Sequence, residues 1–246
     1  MGEAPMQLSI VIPAFNEQGN IAGLVSEIVA LVEADMLGEI IVVDDASTDG
    51  TASEVASLLS NTPQLRCLRH RRHAGQSAAL LTGARAARFA VIATLDGDGQ
   101  NDPRDIATLV SALAAPGGDG PALVGGIRAR RWATGSKRTA SRVANTIRRW
   151  VLRDDCPDTG CGIKVMWRDA LVDLPAFRGI HRYLPALFLA RGYKTAYLPV
   201  NDRPRRAGVS KYSNFNRALI GLYDLVGVGW LLRRMVEVEF TEDARR

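Results

Sequence analysis

The chain has 246 residues, 47% hydrophobic and 23% charged, an ordinary globular composition with room for one large domain or two small ones. The formal net charge of +5 is modest but uneven: 128–149 holds eight Lys/Arg and 203–217 five, with no acid in either stretch. Such patches favour anionic partners, although a solvated basic face explains them equally well. Three cysteines, Cys67, Cys156 and Cys161, are too few for a disulfide framework and match no zinc spacing, even with His70, His73 and His181. With no basic-then-apolar leader and no apolar run of about eighteen residues, the expectation is a protein neither secreted nor membrane-spanning, its thiols reduced.

Taken in order, Leu8–Pro13 is an apolar, β-branched run that reads as a buried strand, and Asn20 stands where a helix reaching about Glu33 would be capped. Glu39–Asp44 is a second strand, and the loop from Asp45 to Thr51 leads into a helix over Ala52–Leu59. Leu65–Arg69 is a third short strand and Ser77–Arg88 a helix. Ala90–Leu95 is a fourth strand, ending abruptly in Asp96-Gly97-Asp98-Gly99-Gln100. Pro103 suits the first turn of the helix that follows, over Arg104–Leu113. Strands alternating with helices predict an α/β fold with a doubly wound, mostly parallel sheet, whose ligands sit beyond the carboxyl ends of the strands. Those ends carry Asn16 and Glu17, Asp44 and Asp45, and Asp96 and Asp98.

Asp96 and Asp98 are two carboxylates two residues apart, with glycines between and after them, so both can turn toward one point. Hard cations such as Mg²⁺ or Mn²⁺ take oxygen ligands and commonly share them with substrate phosphates. A polar turn closing the strand explains the same residues. An EF-hand does not, because no Glu stands twelfth from either Asp. Neither GxGxxG after the first strand nor GxxxxGK[ST] anywhere is present, which removes most of the weight from dehydrogenase and P-loop readings.

Five segments in order, LSIVIPAFNE, IIVVDDASTDGT, LDGDGQNDP, DTGCGIKV and RRAGVSKY, resemble the family 2 glycosyltransferases. Within that family they resemble the branch of dolichol-phosphate mannose synthases and bacterial polyprenyl-phosphate sugar transferases. The likeness spans residues 7–213. It implies a GT-A (nucleotide-diphospho-sugar transferase) fold, with a catalytic domain over 1–213. Residues 214–246 would form an apolar or amphipathic helical tail, membrane-interfacial or packed on that domain. The implied reaction is inverting transfer of a sugar from a GDP- or UDP-sugar to a dolichyl or undecaprenyl phosphate, with Mg²⁺ or Mn²⁺ as cofactor.

The resemblance also implies roles. Pro13, Ala14, Asn16 and Glu17 would hold base and ribose, with Asp44 or Asp45 and the nearby Ser47 at the nucleotide and Gly75 and Gln76 on its base side. Asp98 would ligate the metal, Gln100 supply a second oxygen, and Asp96 meet the sugar–ribose side or a metal-bound water. Arg128 would meet a donor or acceptor phosphate. The turn from Asp158 to Gly162 would shape the sugar and acceptor pocket, Cys161 being a poor candidate nucleophile without a paired base. The stretch His181-Arg182-Tyr183-Leu184-Pro185 would border the acceptor entrance, with a purely structural His181 as the alternative. Arg205, Ser210 and Lys211 would close on phosphates from a loop that bends at Gly208.

Two further stretches bear on partners. Arg138–Leu152 reads as an amphipathic helix with Val143, Ile147, Trp150 and Val151 on one face and Arg138, Arg142 and Arg149 on another, suited to anionic headgroups. Ala218–Leu232 is apolar nearly all round but short for a span. The expected location is therefore peripheral, on the cytoplasmic face of a membrane, with a separate membrane-protein partner as an alternative anchor.

A phosphate acceptor is already ionised at neutral pH and needs cations rather than a general base, which suits the two basic stretches. A saccharide or lipid hydroxyl acceptor is the runner-up. A non-catalytic nucleotide- or nucleic-acid-binding module is the alternative of another class. No nucleic-acid partner is expected, because basic–aromatic stacking platforms are missing.

Overall fold

A computed structural model describes residues 6–115, 118–128, 146, 148–204 and 214–236, the last of these by backbone alone over 214–220. The elements are β1 (Leu8–Ala14), α1 (Ile21–Leu31), β2 (Leu37–Asp44), α2 (Thr51–Leu58), β3 (Leu65–Arg69), α3 (Gln76–Ala86) and β4 (Val91–Thr94). There follow α4 (Asp105–Ser111), β5 (Pro121–Arg128), β6 (Lys164–Trp167), α5 (Arg168–Val172), α6 (Ile180–Ala190), β7 (Lys194–Val200) and α7 (Asn214–Leu232). The strands form one sheet in the order β3-β2-β1-β4-β6-β5-β7. Every pairing is parallel except the two made by β6, which runs antiparallel between β4 and β5.

Period-two alternation in the central strands divides the core into two layers. Leu8, Ile10 and Ile12 of β1 and Ile40 and Val42 of β2 point to one face, where they meet Ile21, Leu24 and Ile28 of α1 and Ile106 and Leu109 of α4. Val11, Ile41, Val43 and Ile92 point to the other, against Ala79, Leu80 and Ala84 of α3 and Leu184, Leu187 and Phe188 of α6. Each such buried Leu or Ile contributes about 1.5–3 kcal/mol, so the uniform apolar runs commit these strands to the middle of a covered sheet. Leu225 and Val228 of α7 join the second layer. Asn20 precedes α1, but its side chain makes no capping bond to the helix and instead donates to Glu17 Oε2 at 3.0 Å.

The segment after β7 is stitched to the turn after β4. Asn201 N and Nδ2 donate to the Asp105 carboxylate at 2.8 and 2.9 Å. Arg203 N donates to Gln100 O at 3.0 Å, and Gln100 Nε2 donates to Arg203 O at 3.2 Å. The Arg203 guanidinium bridges Asp102 at 2.6 Å and Glu27 of α1 at 2.8 Å, so this member of the second basic stretch is a structural tie.

Burial alone would raise the Asp102 carboxyl, but hydrogen bonds from Arg104 and Arg203 outweigh it and hold the group well below the usual carboxylate range. The native state therefore gives up this proton more readily than the unfolded chain does. The resulting stability is complete above about pH 4 and is lost as pH falls below it. Arg203→Met is expected to cost about 1.5–3 kcal/mol at neutral pH and to flatten the acid limb of the stability curve, read by urea melts across pH. An unchanged acid limb would contradict the tie.

Candidate active site

β1, β2 and β3 build outward to one side and β4 to the other, so the loops after β1 and β4 diverge and leave a crevice at their carboxyl ends. A cavity of about 670 Å³ opens there. Pro13, Ala14, Glu17, Asp45, Gln76, Asp96, Asp98, Gln100 and Arg128, all named from the sequence, line it together. Asn16 does not appear among the lining residues.

The loops after β1 and β2 are zipped to each other. Asn16 takes a left-handed backbone (φ 53°), donates its N–H to Ser47 Oγ at 2.9 Å, and accepts from Thr48 N at 2.8 Å. Glu17 N donates to Thr51 Oγ1 at 2.8 Å, and Gly50 N to Gln18 Oε1 at 2.8 Å. Ser47 and Asn16 thus set the shape of the wall, while Pro13, Ala14 and Glu17 face the cavity.

Asp45 is buried with both oxygens engaged. Oδ1 accepts from Ala74 N at 2.9 Å and His70 Nδ1 lies 2.6 Å from it; Oδ2 accepts from Gly75 N at 2.6 Å and lies 2.8 Å from His73 Nδ1. Burial would raise this carboxyl, but the hydrogen bonds from Ala74, His70 and Gly75 and the neighbouring His73 bring it below the ordinary range. Asp45 therefore organises the 70–76 loop and sets His73 against Phe15, with ring centroids 4.1 Å apart. Asp44, fully buried, accepts from Ser47 N at 2.9 Å and pairs with Arg69 at 3.1 Å, and it is not among the residues lining the cavity.

Asp96 and Asp98 end β4 as one turn. Asp96 N donates to Asn101 Oδ1 at 3.1 Å, and Asp98 Oδ1 accepts from Gln100 N at 3.1 Å. The Asp96 carboxylate accepts from Gln76 Nε2 at 2.9 Å, so the predicted base-side residue meets the acidic turn. Burial and then the charge of Asp98 push Asp96 up to about 6, against the pull of Lys164 and Arg128. Gly162 makes the close approach possible. A Cβ there would overlap the Asp96 carboxylate and lie 2.7 Å from Asn101 Oδ1.

Arg128 reaches the cavity from the end of β5 but is held by Asp158, Nε to Oδ2 and Nη2 to Oδ1 both at 2.8 Å. These bonds outweigh burial and keep it a cation, and among the described residues Nη1 has no hydrogen-bond partner. Cys161 is buried in the wall, and burial pushes its thiol up to about 11, so it is no nucleophile at neutral pH.

Sequence reasoning missed Lys164 in the cavity wall and Ser77 outside its lining. Lys164, first residue of β6, is buried, lines the cavity and donates to Cys161 O. It is the one charge in CGIKVMW, a signal that pointed to it. Arg182 of α6 lines the cavity, and Ser77 accepts from Gly179 N at 2.8 Å, stapling α3 to the start of α6. Arg205, Ser210, Lys211, Arg138 and Arg142 lie outside the described residues. Trp150 is 82% exposed and Arg149 half exposed, while Arg148 is buried and paired with Asp154 at 2.5 Å. The inward side of residues 148–152 thus runs through Arg148 and Leu152, and Trp150 does not join it.

A model of glycosyl transferase family 2 matches residues 9–174, well over half of the chain. The chain belongs to glycosyl transferase family 2. Membership makes it an enzyme and sets aside the reading as a non-catalytic binding module. Among family relatives, a dodecaprenyl-phosphate galacturonate synthase of Rhizobium johnstonii is 32% identical over 232 residues, 93% of this chain and 68% of that one. An undecaprenyl-phosphate 4-deoxy-4-formamido-L-arabinose transferase of Enterobacter sp. is likewise 32% identical, over 91% of this chain and 68% of its own. Two solved structures share the fold, which is that of the GT-A glycosyltransferases. A glucosyl-3-phosphoglycerate synthase from Mycobacterium tuberculosis with Mg²⁺ and UDP matches at TM-score 0.68 and 22% identity, over 90% of this chain and 80% of that one. A mannosyltransferase from Pyrobaculum calidifontis with GDP-Man and Mn²⁺ matches at 0.63 and 21%, over 96% and 66%.

Two adjacent residues of this glycosyltransferase should respond oppositely. Gly162→Ala displaces Asp96 and is expected to cut turnover on the order of 10²-fold. Cys161→Ala is expected to keep turnover within about threefold, since its thiol stays protonated. Steady-state kinetics on folded protein decides both; a dead Cys161→Ala would restore a role for the thiol.

Proposed function

We propose that this enzyme transfers a sugar from a GDP- or UDP-sugar, with inversion, to a polyprenyl phosphate. The observation that carries the reading is one cavity lined both by the Asp96–Asp98 turn and by the cations Arg128, Lys164 and Arg182. A diphosphate leaving group and a phosphate nucleophile bring two sets of anionic oxygens to one place, and such a wall suits them. The printed activities of the two relatives above support the same acceptor class.

Asp98, with Gln100 through its amide oxygen, would hold Mg²⁺ or Mn²⁺. These are oxygen donors, and few enough to leave the ion sites for phosphate oxygens and water. Among the described residues no three His, Cys, Asp or Glu side chains gather to cage a metal, which suits an ion shared with a substrate. When bound, the ion neutralises charge developing on the departing nucleoside diphosphate. Pro13, Ala14 and Glu17 line the nucleotide end, and Asp45 acts there through the 70–76 loop. Arg203 anchors the chain to the Gln100 turn, and Arg205, Ser210 and Lys211, outside the described residues, would act on phosphates.

One observation favours transfer to a hydroxyl instead: Asp96, at about 6, is a carboxylate in the range of a general base. Incubation with GDP- and UDP-sugars and either undecaprenyl phosphate or a soluble saccharide separates the two. The phosphate reading expects an acid-labile glycosyl phospholipid, and a sugar on the saccharide alone would overturn it. Arg205→Ala and Lys211→Ala are each expected to cut this turnover about 10- to 100-fold with little change in melting temperature. Normal turnover per folded molecule would remove them from the site.

For the membrane, we take 1–213 as the catalytic domain and 214–246 as the tail that faces the cytoplasmic leaflet. No helix among the described residues is long and apolar enough to cross a membrane. Yet α7 exposes Leu222, Tyr223, Val226 and Trp230, and Trp150 stands beside Val151, which meets α7 at Gly229. Aromatic and aliphatic side chains with Arg149 nearby suit an interfacial contact. Anionic vesicles at low salt are expected to blue-shift tryptophan fluorescence, and salt to reverse it. No shift would point to a separate membrane-protein partner.

A further inference from the structure

We propose that Ser77 locks His181 into a single neutral tautomer whose Nε2–H, together with the Arg182 guanidinium, forms an oxyanion subsite on the acceptor side of the cavity. This rests on the phosphate-acceptor reading above and adds to it the residues that would receive the acceptor.

The argument is one of proton accounting. Gly179 N–H can only donate, and it donates to Ser77 Oγ at 2.8 Å. Ser77 Oγ also lies 2.9 Å from His181 Nδ1. The hydroxyl has one proton, and among the described residues Nδ1 is its only acceptor. Nδ1 therefore accepts, and the ring carries its proton on Nε2. Burial first, then the charges of Arg182 beside it and Lys164 on β6, push the imidazole down to about 3, which keeps the ring neutral. Asp224 of α7 is the acid on this side; it lies against Gly179, and its carboxyl is raised by burial. The charge of Arg182 offsets part of that rise.

His181 and Arg182 both line the cavity. Nε2 has no hydrogen-bond partner among the described residues, and neither does the Arg182 guanidinium. A fixed neutral donor beside a cation whose hydrogen-bond donors are not taken up among the described residues is a receptor for an anionic oxygen. The backbone holds the pair in place. Gly179 sits at φ 91°, which a side chain would strain, and its N–H is tied to α3 through Ser77.

The position suits the acceptor rather than the donor. Asp98 and Gln100 are bonded into the turn that meets Arg203, whereas His181 is bonded to Ser77 of α3, next in the chain to Gln76, whose amide donates to Asp96. Displacement with inversion brings the nucleophile to the sugar face opposite the diphosphate. An anion subsite beyond Asp96 therefore belongs to the attacking phosphate. His181 acts there as a donor and not as a base.

Histidine-selective ¹⁵N NMR on the full chain tests this, since it contains three histidines and His181→Gln assigns the third. The expected spectrum has His181 as the Nε2–H tautomer, not titrating between about pH 5 and 8. Inorganic phosphate and geranyl phosphate should each move its Nε2 resonance, while UDP or GDP with Mg²⁺ should not. Kinetically, His181→Leu should raise KM for geranyl phosphate about 10- to 100-fold while leaving the donor KM within about twofold, and His181→Gln, which keeps an N–H, should restore part of the loss. Ser77→Ala should release the tautomer lock and give a mixture of Nδ1–H and Nε2–H forms, with the ring still neutral. An Nδ1–H tautomer, a titration near the ordinary value, or equal losses for donor and acceptor would overturn the proposal. If the tautomer is as stated and inorganic phosphate binds, but no phospholipid is ever glycosylated, the subsite stands and the acceptor reading fails.

Discussion

Carboxylates crowd the carboxyl edge of this sheet, and their mutual repulsion is the constraint around which the site is built. Asp44, Asp45, Asp98, Asp102 and Asp158 are all buried there, with Asp96 among them. Most are answered internally: Asp44 by Arg69, Asp45 by two histidines and two backbone N–H groups, Asp102 by Arg104 and Arg203, Asp158 by Arg128. Asp96 instead takes a neutral amide from Gln76 and is pushed up by burial and by Asp98. Much of the chain's own positive charge thus goes to positioning, and at this turn Asp96 stays raised by burial and by Asp98 against the pull of Lys164 and Arg128. That is where a substrate-borne ion would have most to offer.

Positioning comes from three separate parts of the chain that converge on this edge. The loops after β1 and β2 hold each other, so the wall near Phe15 and His73 is set before any ligand enters. The strand β6, antiparallel between β4 and β5, brings Lys164 and Gly162 to the end of β4 from the opposite direction. Thr94 Oγ1 donates to Gly162 O at 2.6 Å and locks that approach. The segment after β7 then closes over Gln100. A parallel strand in place of β6 would have carried its first residue to the other end of the sheet, and the cavity would lack its buried lysine.

Much of this was legible in the sequence because the signals were local. Uniform apolar runs marked β1 to β4 to within a few residues, and polar residues at their ends marked the crevice. One of the segments that carried the family likeness put Asp96, Asp98 and Gln100 in one turn, where the structure also has them, and the structure adds Gln76 to it. What stayed hidden depends on long-range contacts. β6 has four residues and no alternation, so nothing in its own pattern declares an antiparallel insertion. Asp45 reads as an open turn former, and its saturation by His70 and His73 appears only when β3 lies beside β2. Trp150 leaves the expected apolar face, and Arg148, placed on no face beforehand, is held inward by Asp154 and Cys156 O. The coupling of Ser77 to His181 spans more than a hundred residues and has no sequence signature.

The central claim is that the Asp96–Asp98 turn receives a donor diphosphate through a shared divalent cation. Calorimetry of UDP and GDP binding, with Mn²⁺ or with EDTA, on wild type and Asp98→Asn tests it most directly. The account predicts that one nucleotide binds wild type at least about tenfold more tightly with Mn²⁺, and that Asp98→Asn abolishes this gain while keeping its melting temperature. Equal affinity with Mn²⁺ and EDTA in wild type, or an undiminished gain in Asp98→Asn, would contradict it.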